Sequence, residues 1–117
     1  MERWLQATLN TWNGLRAAAR SESAFRQELA ALVIAVPLAF MVADDAWKRL
    51  ALIGVVMFVL IVELLNTAIE KLADRVTGTI DPQIGKVKDM GSAAVGLSLI
   101  IATLTWLIAL AQRLGLM

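Results

Sequence analysis

The stretch from Met90 to Ala111, 22 consecutive residues without a charge, constrains this chain more than any other feature. At ~1.5 Å of helical rise per residue it reaches about 33 Å, enough to cross the ~30 Å hydrocarbon layer of a bilayer once. Inside lipid every backbone N–H and C=O must find its partner within the segment, so such a run folds as a helix. Leu29 to Ala43 is a second uncharged run, of 15 residues. It gives only about 22 Å of helix, too short alone. The preceding Ser23-Ala24-Phe25-Arg26-Gln27-Glu28 can continue the same helix, which carries polar groups into one leaflet. Pro37 lies inside this run and should bend it; spanning helices accept Pro where neighbours satisfy the freed carbonyl. Asp44-Asp45 makes a tight hairpin, and Trp47, Lys48 and Arg49 anchor a further helix from about Leu50 to Asp74 at the interface. Thr77-Gly78-Thr79-Ile80-Asp81-Pro82 breaks it, a last helix begins by Lys86, and Trp106 stands near that helix's far end.

The expected fold is all-α: a polytopic membrane protein with three transmembrane helices, spanning about 25–43, 48–70 and 88–111, and an N-terminal amphipathic surface helix over about 1–20. All 117 residues form one domain. A hydrophobic share of 59% and a mean hydropathy of +0.71 agree with this class. From Trp4 through Leu5, Leu9, Trp12 and Leu15 the large apolar groups share a broad face, opposite Gln6, Asn10 and Asn13. With Arg3, Arg16 and Arg20 nearby, that pattern suits a helix in the membrane interface; a helix packed on a partner protein is the other reading. The N-terminus lacks the apolar core and cleavage site of a signal peptide, so the whole chain is expected to be kept. Four Lys and Arg precede the first span and four lie between the second and third, against two in the hairpin and one after the last. The N-terminus and second loop are therefore expected on the cytoplasmic side, where the polar ends of all three spans gather.

A net charge of +1 gives no clustered basic face, so no nucleic-acid partner is expected. The absence of Cys and His removes disulfides, thiolates, imidazole catalysis and the usual zinc sites, leaving carboxylates, lysines and hydroxyls. Those residues are patterned. In the second span Glu63, Asn66, Glu70 and Asp74 stand at i, i+3, i+7 and i+11, one narrow stripe at ~100° per residue. Glu63 follows an apolar run of 13 residues and should lie near the hydrocarbon boundary. An ionised side chain there costs roughly 2.5–3.5 kcal/mol, so it needs a partner or a purpose. A neutral Glu63 clamping two helices through Asn or Ser is the structural alternative; for Glu70 and Asp74 it is a solvated face. Glu22, Arg26, Gln27 and Glu28 before the first span, with Lys88, Asp89 and Ser92 opening the third, enter the same layer. Paired carboxylates are hard oxygen ligands of the kind magnesium prefers, completed by water and phosphate. Metal-assisted phosphoryl transfer with a carboxylate base fits this set of groups best.

Gly78 to Gly85-Lys86-Val87 is no phosphate-binding loop. Six residues separate its glycines instead of four, and Val replaces the magnesium-holding hydroxyl. Ser92 and Gly96 form a small-xxx-small pair, expected to serve helix packing.

Trp12-Asn13-Gly14-Leu15-Arg16-Ala17-Ala18, Glu22-Ser23-Ala24-Phe25-Arg26-Gln27-Glu28, Glu63-Leu64-Leu65-Asn66-Thr67-Ala68-Ile69-Glu70 and Lys88-Asp89-Met90-Gly91-Ser92-Ala93-Ala94 resemble the bacterial integral-membrane diacylglycerol kinases across nearly the whole chain. The resemblance implies a homotrimer in the bacterial inner membrane, with active sites shared between subunits, that phosphorylates diacylglycerol from ATP with Mg2+. It implies Glu63 as the base at the lipid hydroxyl, Asn66 as an organiser of the site, and Glu22 and Glu70 as holders of the metal. Lys88 would neutralise phosphate charge, with Asp89, Glu28 and Asp74 supporting the nucleotide. Arg26, Gln27, Ser92, Thr11 and Arg3 are carried over as further nucleotide or lipid contacts. Two places depart from the family's surface helix: Asn13 stands where a Lys often precedes the Gly, and Asn10-Thr11 replaces an aromatic-Ser pair. Contacts there are left open. An undecaprenol kinase shares the Glu-x-x-Asn-x-x-x-Glu pattern, while the FRQE and KDMGSAAV segments favour the diacylglycerol branch. A non-catalytic or proton-conducting small membrane protein is the rival from another class, since intramembrane Glu residues also serve as relays.

Overall fold

The computed structural model describes residues 2–117; the first residue of the expected surface helix lies outside them. Four helices follow one another, with no strand among the described residues: α1 (Glu2–Ser21), α2 (Ser23–Val42), α3 (Ala46–Val76) and α4 (Pro82–Arg113). The last three are long and apolar enough to cross a membrane. α2 takes in the polar stretch from Ser23 to Glu28 and runs unbroken through Pro37. α3 spans 31 residues, about 46 Å, so its polar end projects beyond an apolar slab of ~30 Å. Large apolar side chains along all three, Ile34, Phe40, Ile61, Ile100 and Leu107 among them, point outward, as lipid solvation allows.

Local chemistry sets the joints. Between α1 and α2 only Glu22 is non-helical, in an extended conformation (φ −117°, ψ 113°) that turns the chain in one residue. Arg26 closes this corner: its guanidinium donates to the carbonyls of Ala19 (2.9 Å) and Arg20 (3.2 Å) at the C-terminal end of α1. A cation there satisfies carbonyls that have no helical donor and sits at the negative end of the helix dipole. At the opposite end of the bundle Asp45 caps α3, accepting from the Lys48 N–H (3.1 Å). Arg49 donates through Nε to the Ala43 carbonyl (2.9 Å) and lies 4.6 Å over the Phe40 ring, which locks the hairpin. Asp81 caps α4, accepting from Gln83 and Ile84, and Pro82 takes the first helical position, where no N–H is needed. The helix thus starts four residues ahead of Lys86.

Two small clusters hold the helices. Ala18, Phe25 and Leu60 are buried where the α1–α2 corner meets α3, with Leu32 and Leu64 packed around them. Ala39, Ala43 and Leu52 are buried near the hairpin with Trp106 and Ala109 of α4, alanines letting the backbones approach closely. Trp106, expected at the far end of its span, points inward and donates its indole N–H to the Leu52 carbonyl (3.1 Å). On α4 the buried small residues are Gly91 and Ser98, not the expected Ser92–Gly96 pair, both of which are exposed. Of α1 only Ala18 is buried, so the helix stands off the bundle along most of its length.

Candidate phosphoryl-transfer site

The polar end of α3, the α1–α2 corner and the start of α4 converge on one region. Glu63 is half-buried on α3, one turn above the buried Asn66. Asn66 donates from Nδ2 to Glu70 Oε1 (3.2 Å), a step along the same helix face. That bond follows directly from the i, i+4 spacing of the stripe. Glu22, from the corner, and Glu28, from α2, bring two more carboxylates toward it: Glu63 lies within electrostatic reach of Glu70 and Glu22, and Glu28 within reach of Glu63. Glu28 Oε2 is buried without a hydrogen-bond donor. Like charges placed beside an apolar slab repel one another, an arrangement that a bound cation would relieve.

Cations flank it. Lys71 Nζ lies 3.9 Å from Glu22 Oε2, and Lys88, from α4, donates to Asp74 Oδ1 at 2.6 Å across the α3–α4 interface. Within the chain, then, Glu22, Glu28, Glu63, Asn66 and Glu70 come together, and Lys88 joins Asp74 at the water-facing end of the stripe. The other expected contacts stand apart. Arg26 is engaged at the corner. Gln27, Asp89 and Ser92 are exposed. Thr11 bonds the Ala7 carbonyl (2.9 Å) and lines a groove of about 630 Å³ between α1 and α3, with Asn10, Gly14, Leu64, Thr67 and Lys71. Arg3 lies far up α1, beside Leu5 and Gln6.

Lys71 and Gly91 belong to this region and do not stand out in the sequence. Lys71 is one residue, ~100°, off the carboxylate stripe. Its signal is a second polar file, Thr67 and Lys71 at i, i+4, which faces α1. Gly91 is buried against Asn66, whose Oδ1 occupies the space a methyl group would need.

The carboxylates present would fit a magnesium ion whose remaining ligands are water and phosphate. No group of three or more Asp or Glu residues forms a metal cage among the described residues. Two hard carboxylate oxygens, completed by water and phosphate, are the usual protein share of such a site.

Three apolar spans with carboxylates at their polar end define a polytopic membrane protein with an ionisable site at the boundary, and sequence comparison gives its family. The family model of the prokaryotic diacylglycerol kinases matches residues 9–110. The diacylglycerol kinase of Escherichia coli K12 is 46% identical over 113 residues, covering 97% of this chain and 93% of that protein. That of Pseudomonas aeruginosa is 42% identical over 106 residues (91% and 86%), and that of Haemophilus influenzae 33% over 102 (87% and 86%). The chain belongs to the prokaryotic diacylglycerol kinase family.

Proposed function

We propose that the chain transfers the γ-phosphoryl group of ATP to the hydroxyl of diacylglycerol, making phosphatidic acid at the membrane surface. The observation that carries this reading is the gathering of Glu22, Glu28, Glu63 and Glu70 where the apolar spans meet the polar helix ends. A lipid hydroxyl and a water-borne polyphosphate can meet only at such a boundary.

Glu63, the member next to the apolar run, takes the proton from the lipid hydroxyl. The freed oxygen attacks the γ-phosphorus, the bridging bond to the β-phosphate breaks, and ADP leaves. Glu70, held by Asn66, and Glu22 bind the magnesium of magnesium-ATP, which supplies charge neutralisation at the transferred phosphoryl group. Lys88 moves from Asp74 to the phosphates, and Asp89, Glu28 and Asp74 order the nucleotide's surroundings. Thr11, Arg3, Arg26, Gln27 and Ser92 make outer nucleotide or lipid contacts. As a phospholipid-biosynthetic transferase the protein sits in the bacterial inner membrane with its N-terminus and the α3–α4 loop in the cytoplasm, α1 lying in the interface. It works as a homotrimer whose sites are shared between subunits.

The test is transfer of 32P from ATP to a panel of lipid alcohols by the purified protein with magnesium. Faster labelling of diacylglycerol than of undecaprenol supports the reading. The opposite ratio reassigns the protein to undecaprenol, and no labelling of any lipid removes the kinase reading.

A further inference from the structure

Of the seven glycines, Gly91 alone has a foreign atom within 4 Å of the place where a β-carbon would stand. That atom belongs to Asn66. A methyl group on Gly91 would collide with Asn66 Oδ1 and stand 3.3 Å from Cγ. Both residues are buried, so a methyl group on Gly91 would have to displace the amide from the place it holds beside Glu70. Oδ1 has no hydrogen-bond donor, whereas Nδ2 of the same amide is spent on Glu70 Oε1 at 3.2 Å. The amide is therefore fixed from two sides, by the bare backbone of α4 and by the Glu70 carboxylate of α3. Glycine inside a helix is unfavourable against alanine, and here the close approach of Asn66 accounts for it.

We propose that Gly91 is a positioning residue for phosphoryl transfer: it leaves open the space in which Asn66 seats, and through Asn66 it sets the orientation of Glu70. The proposal rests on the reading of Glu70 as a ligand of the magnesium in magnesium-ATP. Gly91 touches no substrate; it acts through the amide. Outer groups that orient metal ligands change metal affinity about 10–100-fold when removed.

The test uses G91A, N66A and the double variant in the assembled, membrane-reconstituted protein. Binding of Mn2+–ATP is read by electron paramagnetic resonance of free Mn2+, and the magnesium dependence of lipid phosphorylation is measured beside it. G91A is expected to weaken Mn2+–ATP binding about ten-fold, N66A to do likewise, and the double variant to be no weaker than N66A. Parental binding in G91A overturns the proposal, as do losses that multiply in the double variant. Should G91A fail to assemble, assembly regained in the double variant supports the seating of Asn66. A double variant that also fails makes Gly91 a helix-packing glycine and overturns the proposal. Parental binding of Mn2+–ATP by E70Q would remove Glu70 as a ligand; non-additivity of G91A and N66A in lipid phosphorylation would then still decide the role of Gly91.

Discussion

Depth separates the roles proposed for Glu63 and Glu70. Glu63 follows 13 apolar residues, about 20 Å of helix, whereas Glu70 stands two turns nearer water and accepts the Asn66 amide. A proton acceptor for a lipid hydroxyl belongs at the first position and a ligand for a phosphate-borne cation at the second. Glu70→Gln keeps the size and loses the charge. It is expected to raise the half-saturating magnesium concentration about ten-fold or more while leaving the diacylglycerol KM within two-fold. Titrating each in steady-state assays checks this, and equal magnesium dependence in variant and parent would remove Glu70 from the metal site. The stripe itself is legible in the sequence, because helical periodicity alone puts Glu63, Asn66, Glu70 and Asp74 on one face. Lys71 and Gly91 are not legible in that way: each meets a neighbour distant in the chain, Glu22 at the α1–α2 corner for one and Asn66 of α3 for the other.

At the level of elements, the helices follow from hydropathy and the joints from single side chains. The 15-residue run of α2 demands extension, and the structure extends it through Ser23–Glu28, which brings Glu28 into the carboxylate group. Arg26, carried over as a substrate contact, also has a structural task at the α1–α2 corner. The rotation of a helix about its axis is not legible in its small residues. Ser92–Gly96 satisfies the small-xxx-small pattern, yet within the chain Gly91 and Ser98 are the buried small residues of α4, because several small residues crowd this helix and the pattern does not fix its rotation. Trp106 was equally ambiguous, since an indole near a helix end suits either headgroups or a backbone carbonyl. Its bond to the Leu52 carbonyl predicts that Trp106→Phe, which keeps an aromatic ring and loses the donor, lowers stability by about 1 kcal/mol. Denaturant titration in mixed micelles measures it; unchanged stability would mean the bond contributes nothing net.

For the whole molecule, one protomer gathers the carboxylates yet leaves Gln27, Asp89 and Ser92 exposed. In the proposed trimer, other subunits would cover the surfaces on which these residues lie. Mixing equal amounts of Glu63→Gln and Lys88→Met protomers tests that arrangement. If the base and the lysine of each site come from different subunits, random mixed trimers should regain about one quarter of parental activity. If both come from one chain, the mixture stays as inactive as its parts. The central claim, that Glu63 deprotonates the lipid hydroxyl at the membrane boundary, is tested most directly by 32P transfer from ATP to diacylglycerol in Glu63→Gln, with helicity and assembly checked against the parent. A folded, assembled protein whose turnover falls about 10²–10⁴-fold is expected; parental turnover in that variant would contradict a role for Glu63 as the base.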